Sequence, residues 1–580
     1  MQELTDTVTA DGRLFVFSYF FSYEYASKQG MGSLSRSVLA QILQQCHNDP
    51  EIFNIFSFVT RDTGKSSSGS KKDLEQLLNV VLRRLHEVYI VIDGLDECGD
   101  PDGCLCDLML ALEGCTTKLI IFSRPNIERL LEVDDPNSVI TITHDSNHRD
   151  IRRYLAPRLE MLQKKHLPPG TRTEDLLDHL LLGANGMFLW GRLMIEYLKS
   201  PAHTPSLRLA AIQNLQSPGT LDDMYIRILR MIGTTIREEQ ELARSIIFWI
   251  VYGHKSLTGQ QLQCVVTPRK LGSALQNMET DHSSDSFTNF EHTVVIICAS
   301  LVEVGRGRYR LIHKSAYDFF MDCSDTARSL DRPDDPEREI PRRFLTTRPA
   351  IHAEFADACL TYLLFEGPGH PLSGDMRRSI SIDEVATKYV FLAYASTQWM
   401  HHLSASATKT SAPHKGRNED FNAKLAGLQR TLSRFLSSKL ILMSWVESIY
   451  LCMLKRERDQ LFNAMKNVPL LITSEELYTL RSSTLEPAEP LGRELADFAK
   501  DLITIDEDWG DKLQKSPHFI WQDITAFHPS RFLAQTRATS FVSMSAQRPY
   551  GIQSTKPLST ISEEANEGQD IAVLSIWPSR

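Results

Sequence analysis

The 580-residue sequence has no apolar run that approaches 18 residues, and its first twelve residues carry acids where a secretory signal needs a basic flank and an apolar core. It therefore offers no transmembrane or signal segment, and we expect a cytoplasmic protein. Acidic residues outnumber basic ones by 73 to 63, so the net charge of −10 gives no electrostatic case for nucleic acid or an anionic membrane surface. The ten cysteines are scattered, and the spacing of Cys98, Cys104, Cys106 and Cys115 matches no common zinc pattern.

Two further features are missing that bear on function. No internal period of about 30 to 45 residues is present, so the sequence contains no array of sensor repeats. It also lacks G-x-x-x-x-G-K-[ST], the loop whose backbone N–H groups and lysine bind nucleotide phosphates. One Gly-Lys-Ser occurs at residues 64–66, but Val59 stands where the first glycine of the loop is required, and RDTGKSSSGSKK is a polar loop.

The most informative segment that is present is VYIVIDGLDEC. A run of apolar and β-branched residues ends on Asp93, and two more carboxylates, Asp96 and Glu97, follow just beyond it. A buried strand that presents acids at its carboxyl end is typical of a metal and phosphate site in an α/β sheet. In phosphate-loop NTPases such a strand end, the Walker B element, holds Mg2+ through its first Asp, and a following acid can orient the attacking water.

Strands and amphipathic helices alternate through the first part of the chain. We predict strands at 14–21, from 88 to Asp93 and at 119–122, with helices at 33–45 and 73–85. This alternation predicts a parallel sheet with right-handed crossovers, whose ligand lies beyond the carboxyl ends of the strands. Asp93 and Arg124 both fall at that edge. Arg124 can sense or neutralise a terminal phosphate there, and the alternative, an ordinary ion pair with a surface carboxylate, stays open.

The character changes to helices after residue 150. Helical spacing is present at 151–162, 176–182, 187–198 and 221–232, and again at 243–251, 257–266 and 290–300. Two short predicted strands, 301–304 and 309–312, follow around a glycine-rich turn. Three helices followed by such a hairpin are typical of a winged helix. The hairpin is basic, but no basic recognition helix accompanies it, so we favour a solvated wing over DNA contact.

Six segments in this order carry a resemblance: LFVFSYFFS, SLSRSVLAQIL, IVIDGLDEC, KLIIFSRP, DIRRYL and ANGMFLWGRLMIEYL. Together they resemble the NACHT-type, nephrocystin-like domain of fungal proteins in the STAND class of P-loop NTPases, over roughly residues 14–325. The resemblance implies Mg2+ and ATP or ADP (or GTP) as cofactors, with Asp93 as the metal ligand and Asp96 and Glu97 as catalytic or water-orienting acids. It implies Arg124 as a sensor arginine, and His313 as the residue through which a winged helix of the GPI inositol-deacylase-like type clamps the ADP-bound state.

These patterns predict five units. They are an incomplete α/β parallel-sheet P-loop NTPase-like domain (1–150), a helical subdomain (151–235), a winged-helix domain (236–325), an α-helical arm (326–545) with a polar loop at 404–419, and a flexible tail (546–580) that leads toward a repeat region. On this interpretation the sequence begins just after a phosphate loop and stops just before a sensor. We therefore expect weak nucleotide binding and negligible hydrolysis, and whether the chain is an enzyme stays open.

Two functional hypotheses follow. The first is a STAND/NACHT-type signalling switch in fungal non-self recognition or incompatibility, with degenerate nucleotide binding in this chain. The second is a non-catalytic adaptor or decoy that binds full-length NACHT relatives. Both imply protein partners or self-oligomerisation, and neither involves nucleic acid or a membrane span. Tight binding of Mg2+-nucleotide favours the first hypothesis, and stable association with a relative without such binding favours the second.

Overall fold

The structure is a computed structural model that describes most of the chain. The described residues are 14–22, 30–62, 70–124, 127, 138–168, 170–200, 203–267, 289–305, 307–325, 341–407, 415–468, 488–528 and 530–535. The Gly-Lys-Ser at 64–66 and the predicted tail at 546–580 lie outside these residues.

A small parallel sheet lies in the first part of the chain. Its strands β1 (Phe15–Phe20), β2 (Val88–Asp93) and β3 (Lys118–Phe122) lie in that order, and both neighbouring pairs are parallel. The helices between them are α1 (Met31–Gln45), α2 (Pro50–Asp62), α3 (Lys71–Leu82) and α4 (Pro101–Ala111). The predicted parallel sheet is therefore confirmed, whereas α2 and α4 were not predicted.

Burial explains why β2 is the central strand. Ile90, Val91 and Ile92 are all buried, as expected for a β-branched run covered on both faces. The outer edge of β1 is covered by Gln41 of α1, whose side chain accepts a hydrogen bond from Ser18 N (3.0 Å) and donates one to Ser18 O (2.8 Å). The acids at the end of β2 therefore lie at the middle of the sheet edge, with a strand on either side of them.

The described residues from 144 to 232 are mainly helical. They form α5 (His144–His166), α6 (Thr173–Ala184), α7 (Phe188–Lys199), α8 (Pro205–Gln213) and α9 (Leu221–Ile232). The four helices predicted for this region are all present, and α8 is additional. The bounds of α9 agree with the prediction because Thr220 and Asp223 form a capping box at its start, which is a local signal.

Three helices and a hairpin follow in the predicted order. They are α10 (Arg237–Tyr252), α11 (Gly259–Val266), α12 (Phe290–Ile297) and the antiparallel strands β4 (Val302–Gly305) and β5 (Arg308–Leu311). Thr258, just before α11, makes an isolated antiparallel bridge to Arg308 of β5. Helix α13 (Lys314–Asp325) begins three residues after β5 and returns the chain toward the sheet.

The remaining described residues form a helical arm. Its helices are α14 (Arg348–Phe365), α15 (Ile382–Lys388), α16 (Leu392–Ser406), α17 (Lys415–Ser437), α18 (Lys439–Cys452), α19 (Lys455–Asn467), α20 (Ala488–Lys515) and α21 (Asp523–Phe527). The polar loop predicted at 404–419 is wrong at both ends, because residues 404–406 belong to α16 and 415–419 to α17. Helix growth is cooperative, so packed apolar turns carry adjoining polar residues into the same helix.

Among the described residues, buried apolar side chains form two clusters. One lies within residues 17–127 and fills the space between the sheet and α1, α3 and α4. The other runs from residue 151 to 533 through the later helices and the hairpin. The division into five units stays a prediction. The two apolar clusters are separate. Polar contacts between the sheet edge and α13 therefore bear directly on how these two parts of the chain interact.

Within the described part of the chain, no single helix has the length and apolarity to cross a membrane. One pair, Phe421–Ser437 and Lys439–Cys452, meets these criteria by length and composition only when its two helices are taken together, and it is bent by 90°.

Candidate functional site

The carboxyl ends of the three strands meet at one edge of the sheet. The register places Asp93 beside Phe20 on one side and Phe122 on the other. Beyond this point, Phe21 N donates to Asp93 O (3.0 Å) and Gly94 N donates to Phe122 O (3.0 Å), so the pairing continues for one more step. The Asp93 side chain is exposed at this edge. An exposed carboxylate at a strand end is available to a ligand.

The chain turns sharply after Asp93. Gly94 has φ +73°, a left-handed conformation that residues with a side chain rarely adopt. It leads into a single 3-10 turn, Leu95–Glu97, in which Leu95 is buried and Glu97 is partly exposed. The turn brings Asp96 back against the end of β3. Glycine at position 94 is therefore a backbone requirement for the placement of both following acids.

Asp96 and Arg124 make the first contact of the site. Arg124 N donates to Asp96 Oδ1 at 3.3 Å, and Arg124 Nε lies 3.3 Å from Asp96 Oδ2. The Asp96 side chain is 7% exposed and that of Arg124 is 38% exposed. The carboxylate is thus largely removed from water, and these contacts replace the hydration that it loses.

Helix α13 supplies the second set of partners. Lys314 Nζ donates to the backbone oxygen of Asp96 at 2.5 Å and lies 3.9 Å from its carboxylate. Four residues along the same helix, Asp318 Oδ2 accepts a hydrogen bond from Arg124 Nη1 at 3.3 Å. Two cations and two carboxylates therefore alternate across the junction between the sheet edge and α13. We call Asp96, Arg124, Lys314 and Asp318 the closure cluster.

His313 lies at the start of α13, next to this cluster. Its Nδ1 accepts a hydrogen bond from Ser315 N at 3.1 Å and lies 2.8 Å from Ser315 Oγ, so the proton of the neutral ring is on Nε2. Ser315 Oγ is also 2.7 Å from the hydroxyl of Tyr225 in α9. Partial burial, and next the positive charge of Arg124, lower the pKa of His313. The ring is therefore neutral near pH 7.

The structure brings the sequence-predicted residues together to different degrees. Asp96 and Arg124 are in direct contact, Asp93 and Glu97 lie at the same strand end, and His313 adjoins the closure cluster. Sequence reasoning missed four contributors, which are Lys314, Ser315, Asp318 and Tyr225. No local pattern singles out Lys314 and Asp318, because their partners at the sheet edge lie 218 and 194 positions away along the chain.

The acids of this edge can be tested against the chemistry of Mg2+. The exposed oxygens of Asp93 are of the type that this ion prefers. Asp96, in contrast, is already paired with Arg124 and Lys314. Among the described residues, no group of three or more His, Cys, Asp or Glu side chains is arranged to hold a metal ion. Asp93 thus fits as one ligand of an ion that is otherwise bound by phosphate and water.

Comparison with known proteins gives two findings. Residues 1–124 match the family model described as the N-terminal region of nephrocystin 3. Over 408 residues the chain is 24% identical to the vegetative incompatibility protein HET-E-1 of Podospora anserina, a match that covers 67% of this chain and 27% of that protein. The chain thus spans little more than a quarter of this relative. Together with the parallel sheet, these matches show that the chain is similar to fungal NACHT-type, nephrocystin-like proteins.

Proposed function

We propose that this chain is a signalling switch of the STAND/NACHT type that acts in fungal non-self recognition or incompatibility. The likeness to HET-E-1, which is named for vegetative incompatibility, supports the biological setting. One observation supports the mechanism, namely that the closure cluster joins the carboxyl edge of the sheet to α13. The described arrangement is then the closed state, and release of α13 from the sheet edge is the opening step.

The size of the closure interaction suits a switch. Removing one partner from a buried ion pair costs several kcal/mol, but Arg124 is partly exposed, so solvent screening reduces this cost to about 1 to 3 kcal/mol. A differential interaction of about 1.4 kcal/mol changes a two-state population tenfold. A ligand that competes for Arg124 or Asp96 can therefore shift the equilibrium without unfolding either part of the chain.

We further propose that α10, α11, α12 and the β4–β5 hairpin form a winged helix that carries His313 to the sheet edge. The order of these elements and the bridge between Thr258 and Arg308 support this assignment. The neutral ring of His313 keeps Nε2–H as a hydrogen-bond donor. A donor of this kind, beside Arg124, suits an oxygen of a nucleotide phosphate.

The site residues fit Mg2+-nucleotide only in part. Asp93 would hold the ion, which when bound neutralises phosphate charge, and Arg124 and His313 would contact phosphate oxygens. The 580 residues include no glycine-rich phosphate loop. Because that loop supplies most of the binding energy for phosphate, we expect these residues alone to bind ATP, ADP or GTP weakly and to hydrolyse it negligibly. An ATPase rate that is abolished by Asp93→Ala would contradict this expectation.

The experiment that tests the switch compares two double variants by hydrogen exchange. Lys314→Ala with Asp318→Ala removes the α13 side of the closure cluster, and we expect faster exchange at 93–98 and 314–325. The control, Glu303→Ala with Arg310→Ala, removes the 2.6 Å ion pair within the hairpin and the 3.7 Å contact of Glu303 with Arg192, neither of which involves a residue of the parallel sheet. Equal exchange in the two variants would refute the closure mechanism.

The second candidate is a non-catalytic adaptor or decoy that binds full-length NACHT relatives or a second copy of itself. This candidate is favoured because Asp96 already forms ion pairs with Arg124 and Lys314, which are both residues of this chain. If millimolar Mg2+-ATP or Mg2+-ADP leaves the exchange of the sheet edge unchanged while the purified chain binds a purified relative, the adaptor is the better description. Ligand-dependent exchange at the edge supports the switch.

A further inference from the structure

Two buried thiols lie directly behind the acidic turn. Cys98 follows Glu97 at the end of the 3-10 turn, and Cys104 lies in the first turns of α4. Their relative exposures are 7% and 5%, and both belong to the apolar cluster around the sheet. The residues between them include Gly99 and Asp100, which are exposed. The two thiols are therefore buried on either side of an exposed stretch of chain.

The backbone of Asp100 holds the two cysteines together. Cys98 Sγ donates to Asp100 O at 3.4 Å, and Cys104 N donates to the same oxygen at 3.0 Å. Asp100 is itself fixed, because its side chain accepts a hydrogen bond from Gly103 N at 2.9 Å and so caps α4. The two thiols also hydrogen-bond to each other. The Asp100 oxygen thus holds the Cys98 sulfur and the backbone of Cys104 at one point of the chain.

We propose that Cys98 and Cys104 are a reversible redox pair that closes to an intramolecular disulfide under hydrogen peroxide. The Cys98 thiolate attacks one peroxide oxygen, the O–O bond breaks, and the departing hydroxide takes a proton to become water. The Cys104 sulfur then attacks the Cys98 sulfenic acid, a sulfur–sulfur bond forms, and the second oxygen leaves as water with the Cys104 proton. Two thiols lose two electrons, and one peroxide becomes two waters.

The electrostatics distinguish the roles of the two sulfurs. The hydrogen bond from Cys104 is the main cause that lowers the pKa of Cys98 to about 7, against the opposing effect of burial. The same hydrogen bond and burial raise the pKa of Cys104. Cys98 is therefore the sulfur of the pair that loses its proton more readily, and Cys104 is the one that keeps it. We therefore assign the attack on peroxide to Cys98 and the second, disulfide-forming attack to Cys104.

Mass spectrometry tests the pair directly. Residues 85–118 contain Cys98, Cys104, Cys106 and Cys115 but no internal Lys or Arg, so trypsin releases all four in one peptide. After peroxide treatment of the folded chain and alkylation of the remaining thiols, we expect this peptide to carry two alkyl groups and to yield no fragments between Cys98 and Cys104. A dithiol reductant should restore all four alkylation sites.

Variants separate this pair from its neighbours. Cys104→Ser should leave a sulfenic acid on Cys98 that dimedone traps, and Cys98→Ser should abolish both products. Cys106→Ser is the matched control, since it changes a partly exposed cysteine on the same helix and should leave the disulfide intact. A peptide that keeps four alkylation sites after peroxide, or a disulfide that persists in Cys98→Ser, would overturn the proposal. The wild-type measurement is decisive even if a variant fails to fold.

Discussion

Replacing Glu447 by glutamine should change how the stability of the helical arm depends on pH. Glu447 lies in α18 and is 1% exposed. Its Oε2 accepts hydrogen bonds from Trp521 Nε1 at 2.7 Å and from Leu372 N at 3.0 Å. Burial raises the pKa of this carboxyl from 4.5 to about 7, because those two hydrogen bonds only partly offset the loss of hydration. The folded arm therefore binds a proton that the unfolded chain releases.

The sign and size of the effect follow from proton linkage. Between pH 4.5 and about 7 the folded state holds one more proton than the unfolded state, so stability is complete below pH 4.5 and falls as the pH rises. At about 1.4 kcal/mol for each pH unit, the loss reaches about 3 kcal/mol by pH 8. Glutamine keeps the oxygen acceptor and cannot ionise. We therefore expect Glu447→Gln to remove this loss. The difference in the free energy of unfolding between the variant and wild type should then be about 3 kcal/mol larger at pH 8 than at pH 5.

Hydrogen exchange followed by mass spectrometry provides the assay, since a chain of 580 residues does not unfold in one step. The protection of Lys439–Cys452 and Pro517–Trp521 should fall between pH 5 and pH 8 in the wild type, after correction for intrinsic exchange rates, and stay level in Glu447→Gln. Glu447→Ala, which loses both hydrogen bonds, should be less protected at both pH values. Equal pH dependence in wild type and Glu447→Gln would refute the reasoning.

The remaining predictions concern the helical arm and the helical region before it. Burial lowers the pKa of His352 from 6.5 to about 4, so its contribution to stability is present above pH 6.5 and is lost as the pH falls. We expect wild type to lose about 2 kcal/mol of local stability between pH 7 and pH 5 and His352→Gln to avoid this loss, as measured by hydrogen exchange of Arg348–Phe365. The change of stability with pH that comes from His352 has the opposite sign to the change that comes from Glu447. The stability of each variant is therefore compared with that of wild type at the same pH. Gly183→Ala would place a Cβ atom 2.4 Å from the ring of Trp190, and we expect hydrogen exchange of Thr173–Ala184 and Phe188–Lys199 to show a local destabilisation of about 1 to 3 kcal/mol. Unchanged protection of these two helices would contradict the packing argument.

Local sequence patterns were sufficient for much of the fold. The β-branched run that ends on Asp93 predicts the central strand, and the observed strand Val88–Asp93 ends at that residue. Helix Leu221–Ile232 agrees with its predicted bounds, because both its apolar face and its capping box lie within the segment. Helix Pro101–Ala111 was missed, since PDGCLCDLMLA begins with residues that are typical of turns, and the Asp100 cap supplies its start.

Local sequence patterns predicted only one part of the candidate site, namely the residues at the ends of the strands. Asp93 ends a strand, and the other predicted residues, Asp96, Glu97 and Arg124, follow strands. Parallel strands bring their carboxyl ends to one edge. The partners from α13 have no comparable local signal. Lys314 and Asp96 are 218 positions apart, and nothing in the periodicity around either residue indicates the other.

The sequence by itself therefore determined the parallel sheet, its acidic strand end and the order of helices and hairpin, because each depends on residues that are close along the chain. Only the tertiary structure decided that Asp96 is buried between Arg124 and Lys314 and that Asp318 completes the closure cluster. It also decided that the Asp100 carbonyl anchors both Cys98 and Cys104. These contacts depend on how separate elements pack, and burial then sets the strength of each charge interaction through the loss of water around it.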